Sequence, residues 1–452
     1  MTLPPESTPQ LVDPVGVPAS GVRVAATRPE VAHPLPHACE PAPPGDASGT
    51  STTAPSARRP SGRLVGIDAA RGIALIGMMA VHNISPERDD GSPTLAWALS
   101  DGKSAALFAL LAGVGVAFAS GGRRRPHGRV WVANSASLAA RAVLIGTVGL
   151  LLGLVVPRDF AAVILTYYAL LFLFAIPLLP LSNRTLLAVG AVVAVGMPVL
   201  SQVVRTHLSV ADQTNPTFAD LFAHPLHLLA ELSLTGIYPA LPWIAYLCVG
   251  MAVGRSRITS RKTLLIITAA GLGLIAFAVA VSAVLMGPIG GRAALATVAL
   301  RSMTSSQLAD LLTFGPDGVT PTDTWWWLAT MAPHSTTPLD LAYTIGVGLA
   351  VLGVCLVIGR TTTALLRPLA AAGSMTLTLY SLHLLLLSTP FMPGDVRGFL
   401  LQTAIVVIFA LLWSRRHPRG PLEDIVARVT GAARRAVLAA GRTGAHSAPA
   451  HA

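Results

Sequence analysis

Residues 63–85 read RLVGIDAARGIALIGMMAVHNIS, a helix-length apolar run with Asp68 and Arg71 near its start and His82 near its end. A run of about 20 apolar residues is long enough to span a bilayer as a helix. Ionisable side chains at that depth cost about 2.5 to 3.5 kcal/mol each on insertion scales, so they usually face a protein interior and mark a functional path. Arg71 and His82 are eleven residues apart. At about 100° per residue that is three turns, so both lie on nearly one face, about 16 Å apart along the axis. One helix thus presents a cation near one membrane surface and an imidazole near the other. Asp68 and Arg71, at i and i+3, can neutralise one another and cap the helix end. Alternatively, Arg71 holds a phosphate-bearing cofactor, because a guanidinium matches phosphate geometry. The two readings are compatible.

The rest of the 452-residue chain agrees with a membrane setting: it is 52% hydrophobic, 12% charged and has a mean hydropathy of +0.63. A soluble domain needs a more charged surface. The net charge of +11 is almost wholly arginine. It falls in short clusters between apolar runs, a pattern of membrane topology rather than of a nucleic-acid-binding face. Cys39, Cys248 and Cys355 are dispersed, without CxxC or metal spacing, and read as apolar fillers.

Ten apolar segments are long enough to span: 65–84, 103–120, 137–156, 160–180, 185–205, 237–254, 263–286, 339–358, 369–388 and 397–413. Arginines collect after the even-numbered segments and before the first, as at Arg123, Arg124 and Arg125, at Arg255 and Arg257, and at Arg415 and Arg416. Acids collect on the odd connections, as at Glu87, Asp89, Asp90 and Asp101. The expected fold is therefore an all-α polytopic membrane helix bundle of about ten spans with both termini cytoplasmic.

Outside this 63–413 domain, residues 1–62 hold 13 of the 35 prolines and read as a disordered tail containing His33, His37 and Cys39 as solvated residues. No signal-peptide pattern opens the chain. Residues 414–452 form a basic tail with a short amphipathic helix from Glu423, suited to an anionic leaflet. Two long outer connections, 206–236 and 287–338, carry apolar and aromatic residues, including Trp325, Trp326 and Trp327. Such tryptophans ordinarily anchor at the interface, although loops of this length often cover a site.

Topology brings several titratable groups toward one surface. His82 ends the first segment. Asp101 and Lys103 open the second and could pair. His334 and Asp340 flank the start of the eighth, and Tyr380 and His383 share a face of the ninth. A lone histidine near a helix end is ordinarily an interfacial hydrogen-bonder; the convergence of His82, His334, His383, Asp101 and Asp340 near one surface marks the candidate site, and the candidate catalytic set is His82, His383, Tyr380, Asp101 and His334. Glycines 113, 115, 146, 149 and 153 permit close helix packing, and no strand precedes them to make a dinucleotide fingerprint. No HExxH, GxSxG or P-loop pattern is present, and no metal is expected.

The opening RLVGIDAARGIALIGMMAVHNIS followed by SDGKSAALFALLAGVGVAF resembles the start of the heparan-alpha-glucosaminide N-acetyltransferase catalytic-domain family and of a related bacterial multi-pass family of unknown function. TGIYPALPWIAYLCVGMAVGR (235–255), APHSTTPLDLAYTIGVGLAVLGVC (332–355), AAGSMTLTLYSLHLLLL (371–387) and GPLED (420–424) resemble motifs of the bacterial branch. The resemblance spans roughly 63–425, in islands. The Arg71-to-His82 spacing is also similar to the first-helix motif of a separate family of membrane sugar O-acyltransferases.

The resemblance implies transfer of an acyl group, expected to be acetyl, from cytoplasmic acyl-CoA to a hydroxyl or amine of a glycan or other envelope acceptor. It implies acetyl-CoA near Arg71 and Asp68, and a pantetheine arm threading the bundle. His82 then acts as base or nucleophile, with His383, Tyr380, Asp101 and His334 around it. There is one departure. The animal enzymes of the family place the essential histidine in the loop after the first helix, and here residues 83–102 contain none. The expected setting is the plasma membrane of a bacterial cell, with the lipid bilayer as partner, no nucleic acid, and homo-oligomer formation left open. Two rivals remain: a transporter or flippase using a buried Asp68, Arg71 and His383 path, which moves substrate without consuming CoA, and an inactive scaffold tolerant of change at both histidines.

Overall fold

The computed structural model describes residues 64–446, apart from 210 and 213. The expected disorder of 1–62, with His33, His37 and Cys39, lies outside the described residues. Among those described, the only non-helical pairing is an isolated bridge between Glu87 and Pro93.

The chain opens with α1 (Val65–Asn83), α2 (Leu95–Ser100), α3 (Lys103–Ala119), α4 (Gly128–Gly153), α5 (Leu165–Ala175) and α6 (Asn183–Val204). Next come α7 (Phe218–Ala223), α8 (Pro225–Ala230), a π-helical turn at Glu231–Thr235, and α9 (Ala240–Gly254). After α10 (Arg261–Met286), α11 (Gly291–Ala299), α12 (Ser305–Phe314) and α13 (Pro338–Thr361), the chain forms α14 (Thr363–Gly373), α15 (Thr376–Leu387), α16 (Val396–Trp413) and α17 (Pro421–His446).

Among the described residues, seven helices are long and apolar enough to cross a membrane, or up to nine if each of two bent pairs is one span. The bent pairs are Pro225–Thr235 with Ala240–Gly254, at 54°, and Thr363–Gly373 with Thr376–Leu387, at 67°. The protein is a multi-pass membrane protein. All ten expected segments fall on helices, but the fourth, 160–180, contains only α5, 11 residues long. It rises about 16 Å, short of a hydrocarbon core of about 30 Å. Pro157 on one side and Pro177 and Pro180 on the other confine it.

At the centre lies α1, with Ala69, Ala70, Ala74, Leu75 and Met79 all fully buried. It packs along α14, α3 along α9, and α10 along α13. Where α1 meets α14, a Cβ on Gly373 would stand 1.7 Å from the Asp68 carbonyl oxygen, so only glycine permits the approach. Gly113 has the same role between α3 and α9, where a Cβ would lie 2.4 Å from Leu247 O.

The two long connections are built rather than loose. One holds α7 and α8; the other holds α11 and α12 around a small core of Leu295, Ala299, Leu308 and Trp327. Trp327 is thus a core residue, its Nε1 donating to Asp323 Oδ1 at 2.6 Å, whereas Trp325 is exposed. The tail helix, expected to be short, runs for 26 residues and packs along α4. Arg434 Nε donates to Asn134 Oδ1 at 3.0 Å, and Arg129 Nε donates to Val437 O at 3.1 Å.

Candidate functional site

A cavity of about 630 Å³ lies between α1, α3, α4, α5, the α14–α15 break and α17. Three guanidinium groups line it, those of Arg71, Arg141 and Arg419, and its walls are apolar, with Phe108, Leu111, Ile145 and Phe172 among them. Arg71 Nη1 donates to Asp68 Oδ1 at 3.2 Å. Gly115 leaves Arg71 room, since a Cβ there would lie 3.3 Å from Nη2. Arg141 sits over the Phe172 ring, 5.9 Å from its centroid. Asp68 does not line the cavity; its part is to pair with Arg71.

The break before α15 exposes the first amides of that half-helix, which need acceptors. Glu423, from the GPLED stretch, supplies them: Oε1 accepts from Leu377 N at 2.6 Å and Thr378 N at 3.2 Å, and Oε2 from Thr378 Oγ1 at 2.6 Å. This pins the start of α17 against the cavity, where Arg419, Glu423, Val426 and Ala427 form part of the wall.

Met78 of α1 and Tyr380 of α15 line the cavity as well. One turn further along the same faces stand His82 and His383. His82 Nδ1 and His383 Nε2 are 3.0 Å apart, and the rings are 2° from parallel. The proton positions follow from a chain of partners that begins at a backbone carbonyl, which can only accept. Asn83 Nδ2 donates to Met79 O at 2.8 Å, which turns Asn83 Oδ1 toward Gln402 Nε2 at 3.2 Å. Gln402 Oε1 then faces His383 Nδ1 and accepts a hydrogen bond from its N–H. His383 Nε2 is left as an acceptor, so His82 Nδ1 is the donor. The ring nitrogen of His82 that keeps its lone pair is Nε2, and a neutral imidazole in this form can take a proton from a hydroxyl or amine. His383 and Gln402 are fully buried, so the relay is locked into the core.

A second pair stands at the same end of α1. Asp101, at the turn into α3, is 3% exposed, and its Oδ1 lies 3.2 Å from His334 Nε2. Asp101 Oδ2 and His334 Nδ1 are buried without a hydrogen-bond partner among the described residues. Burial favours the neutral imidazole, but the charge and hydrogen bond of Asp101 outweigh it, and the His334 pKa is raised. His334 and Thr336 hold positive φ angles of 57° and 53°, unfavourable for side-chain-bearing residues and most of all for a β-branched one. The segment is held from both sides. Asp340 Oδ2 accepts from Thr336 N at 3.0 Å, and Thr337 Oγ1 donates to Thr330 O at 2.6 Å. Asp340 thus braces the loop that carries His334. Lys103 donates to the backbone oxygen of Asp101 at 3.2 Å and leaves its carboxylate to His334.

The structure joins His82 with His383 and Asp101 with His334, and sets Tyr380 between the cavity and His383. Tyr380 Oη accepts from Ile164 N at 3.3 Å. Sequence reading overlooked Arg141, Asn83 and Gln402, and took Arg419 only as part of a basic cluster and Glu423 only as the start of the tail helix. Arg141 was visible as a lone charge within the apolar segment 137–156, and Gln402 as a lone amide within 397–413.

Residues 63–283 match the family model described as heparan-alpha-glucosaminide N-acetyltransferase, catalytic. No curated protein matches the chain. The matched stretch contains Arg71, His82, Asp101 and Arg141, whereas His334, Tyr380, His383, Gln402 and Glu423 lie beyond it. Over residues 63–283, just under half of its length, the chain is therefore similar to the heparan-alpha-glucosaminide N-acetyltransferase catalytic domain.

Proposed function

We propose that the protein is a membrane acetyltransferase that moves an acetyl or other acyl group from acyl-CoA on the cytoplasmic side to a hydroxyl or amine of a glycan or envelope acceptor on the outer side. The observation that carries this reading is the cavity itself. It combines three guanidiniums and apolar walls, and two of its lining residues, Met78 and Tyr380, stand one helical turn from His82 and His383. That donor set suits a ligand with phosphates at one end and a flexible arm at the other. The basic even-numbered connections favour a cytoplasmic entrance for such a ligand.

Bound acyl-CoA supplies a thioester, an acyl carbon already activated for transfer. Arg71, Arg141 and Arg419 bind its phosphates, and Asp68 aims Arg71. Met78 and Tyr380 line the cavity one turn before the two histidines, on the route that the thioester would take to His82. His82 Nε2 takes the proton of the acceptor as its oxygen or nitrogen bonds to the acyl carbon, and returns that proton to the thiolate released when the C–S bond breaks, while His383 and Gln402 hold the ring in its tautomer. The unpartnered Asp101 Oδ2 and His334 Nδ1 offer hydrogen bonds to the acceptor.

Native mass spectrometry and thermal shift of the purified protein with acetyl-CoA test the reading. We expect bound CoA and a rise in Tm that is lost in an Arg71→Ala, Arg141→Ala double variant. Substrate movement with no CoA bound or consumed would instead establish the transporter.

A further inference from the structure

The connection between α6 and α9 gathers three metal-binding side chains that the transfer reading does not use. Asp212, His227 and Glu231 each present a ligand atom within 4.8 Å of the other two. We infer that Asp212, His227 and Glu231 form a binding site for a divalent transition-metal ion of the zinc type, which clamps this connection.

His227 and Glu231 stand four residues apart on the continuous helical run from α8 into the π-turn, so they share a face. A π-turn in a helix is uncommon and recurs at functional positions. Asp212 comes from the preceding loop, which is anchored three residues later. Asn215 Nδ2 donates to Val156 O and Ala161 O, both at 2.9 Å, and Asn215 Oδ1 accepts from Val163 N at 2.8 Å. His227 Nε2 and Asp212 Oδ2 are 3.2 Å apart. Two donors on one tetrahedral zinc, at bonds of about 2.0 to 2.2 Å, stand about 3.3 Å apart.

The surroundings match those of a metal site. His227 uses its other nitrogen, Nδ1, toward Ser209 Oγ at 3.2 Å, the outer partner that fixes the tautomer of a metal-bound imidazole. Glu231 is 5% exposed and accepts from Tyr167 Oη at 3.1 Å. Among the described residues no lysine or arginine pairs with it, and the nearby Arg158 is committed to Asp317 at 2.9 Å. A buried carboxylate without a cation is costly. Two carboxylates and a neutral imidazole sum to the charge that one divalent ion neutralises, and imidazole with carboxylate oxygen suits zinc. The clamp reaches the candidate site through ring contacts. Tyr167 meets Tyr238 at 5.5 Å between centroids, and Tyr238 meets His334 at 5.4 Å.

The test uses the full chain in detergent, untagged, stripped with chelator and titrated with Zn²⁺. We expect about one zinc ion per chain by elemental mass spectrometry, with a rise in Tm that chelator reverses. Glu231→Gln should lose the ion, and Ser209→Ala should weaken its binding by tenfold or more. Wild-type protein that retains no zinc after dialysis overturns the proposal, as does zinc retained equally by His227→Ala and Glu231→Gln. The wild-type titration keeps the test decisive if a variant fails to fold, and none of these readouts depends on acetyl transfer.

Discussion

His82 and His383, 301 positions apart in the chain, meet with Nδ1 and Nε2 at 3.0 Å and ring centroids at 5.3 Å. The partners beyond His383 decide which nitrogen of His82 stays basic. That makes Gln402, which is not among the residues lining the arginine-bearing cavity, a positioning residue for the proposed chemistry.

Gln402→Leu removes the acceptor for His383 Nδ1 and the donor to Asn83 Oδ1, so His82 loses its fixed tautomer. We expect kcat for acetyl transfer to fall roughly tenfold to a hundredfold with the KM for acetyl-CoA little changed. Gln402→Glu restores an acceptor for His383, and partial recovery of kcat in that variant separates positioning from a merely structural role.

The arginines should act on binding. Arg71→Ala or Arg141→Ala is expected to raise the KM for acetyl-CoA by about ten- to a hundredfold, the range for lost charged hydrogen bonds, while kcat at saturation stays near wild type. Arg71→Lys should recover little, because an ammonium cannot reproduce the guanidinium fork. Steady-state kinetics on membranes separates these outcomes.

The Asp101–His334 pair predicts a pH dependence of stability. The His334 pKa is raised in the folded protein above the ordinary imidazole value of about 6.5. The pair's contribution is therefore fully present below that value and is lost as pH rises through the folded pKa. Tm measured from mildly acidic to alkaline pH should fall more steeply in wild type than in Asp101→Asn, which lacks the paired charge. Parallel profiles would contradict this assignment.

Much of this architecture was legible in the chain because bilayer-spanning helices announce themselves by length and apolarity. The expected segments fall in helical regions, although seven to nine spans, not ten, are long and apolar enough among the described residues, and the ninth segment is broken into α14 and α15. What composition could not give was the break at Ser374 and Met375 or the shortness of α5, because both depend on local backbone rather than on hydropathy. At the site, single charges in apolar runs pointed to Arg71 and His82, and topology put His334 and Asp101 at one end. The pairing of His82 with His383 needed the packing of α1 against α15 and α16. Glu423 was read as the start of a surface helix, whereas its carboxylate caps α15 across 46 positions of sequence. Trp327 was read as an interface anchor and is buried, because its neighbours on α11 and α12 supply a core of their own.

The most direct test of the account is acetyl-CoA-dependent acetylation in membranes by wild type and His82→Ala, with acetyl-CoA binding measured in parallel. The account predicts a loss of about 10² to 10⁴ in rate for His82→Ala, the contribution of a general base, with acetyl-CoA binding retained. A wild-type rate in that variant would contradict it.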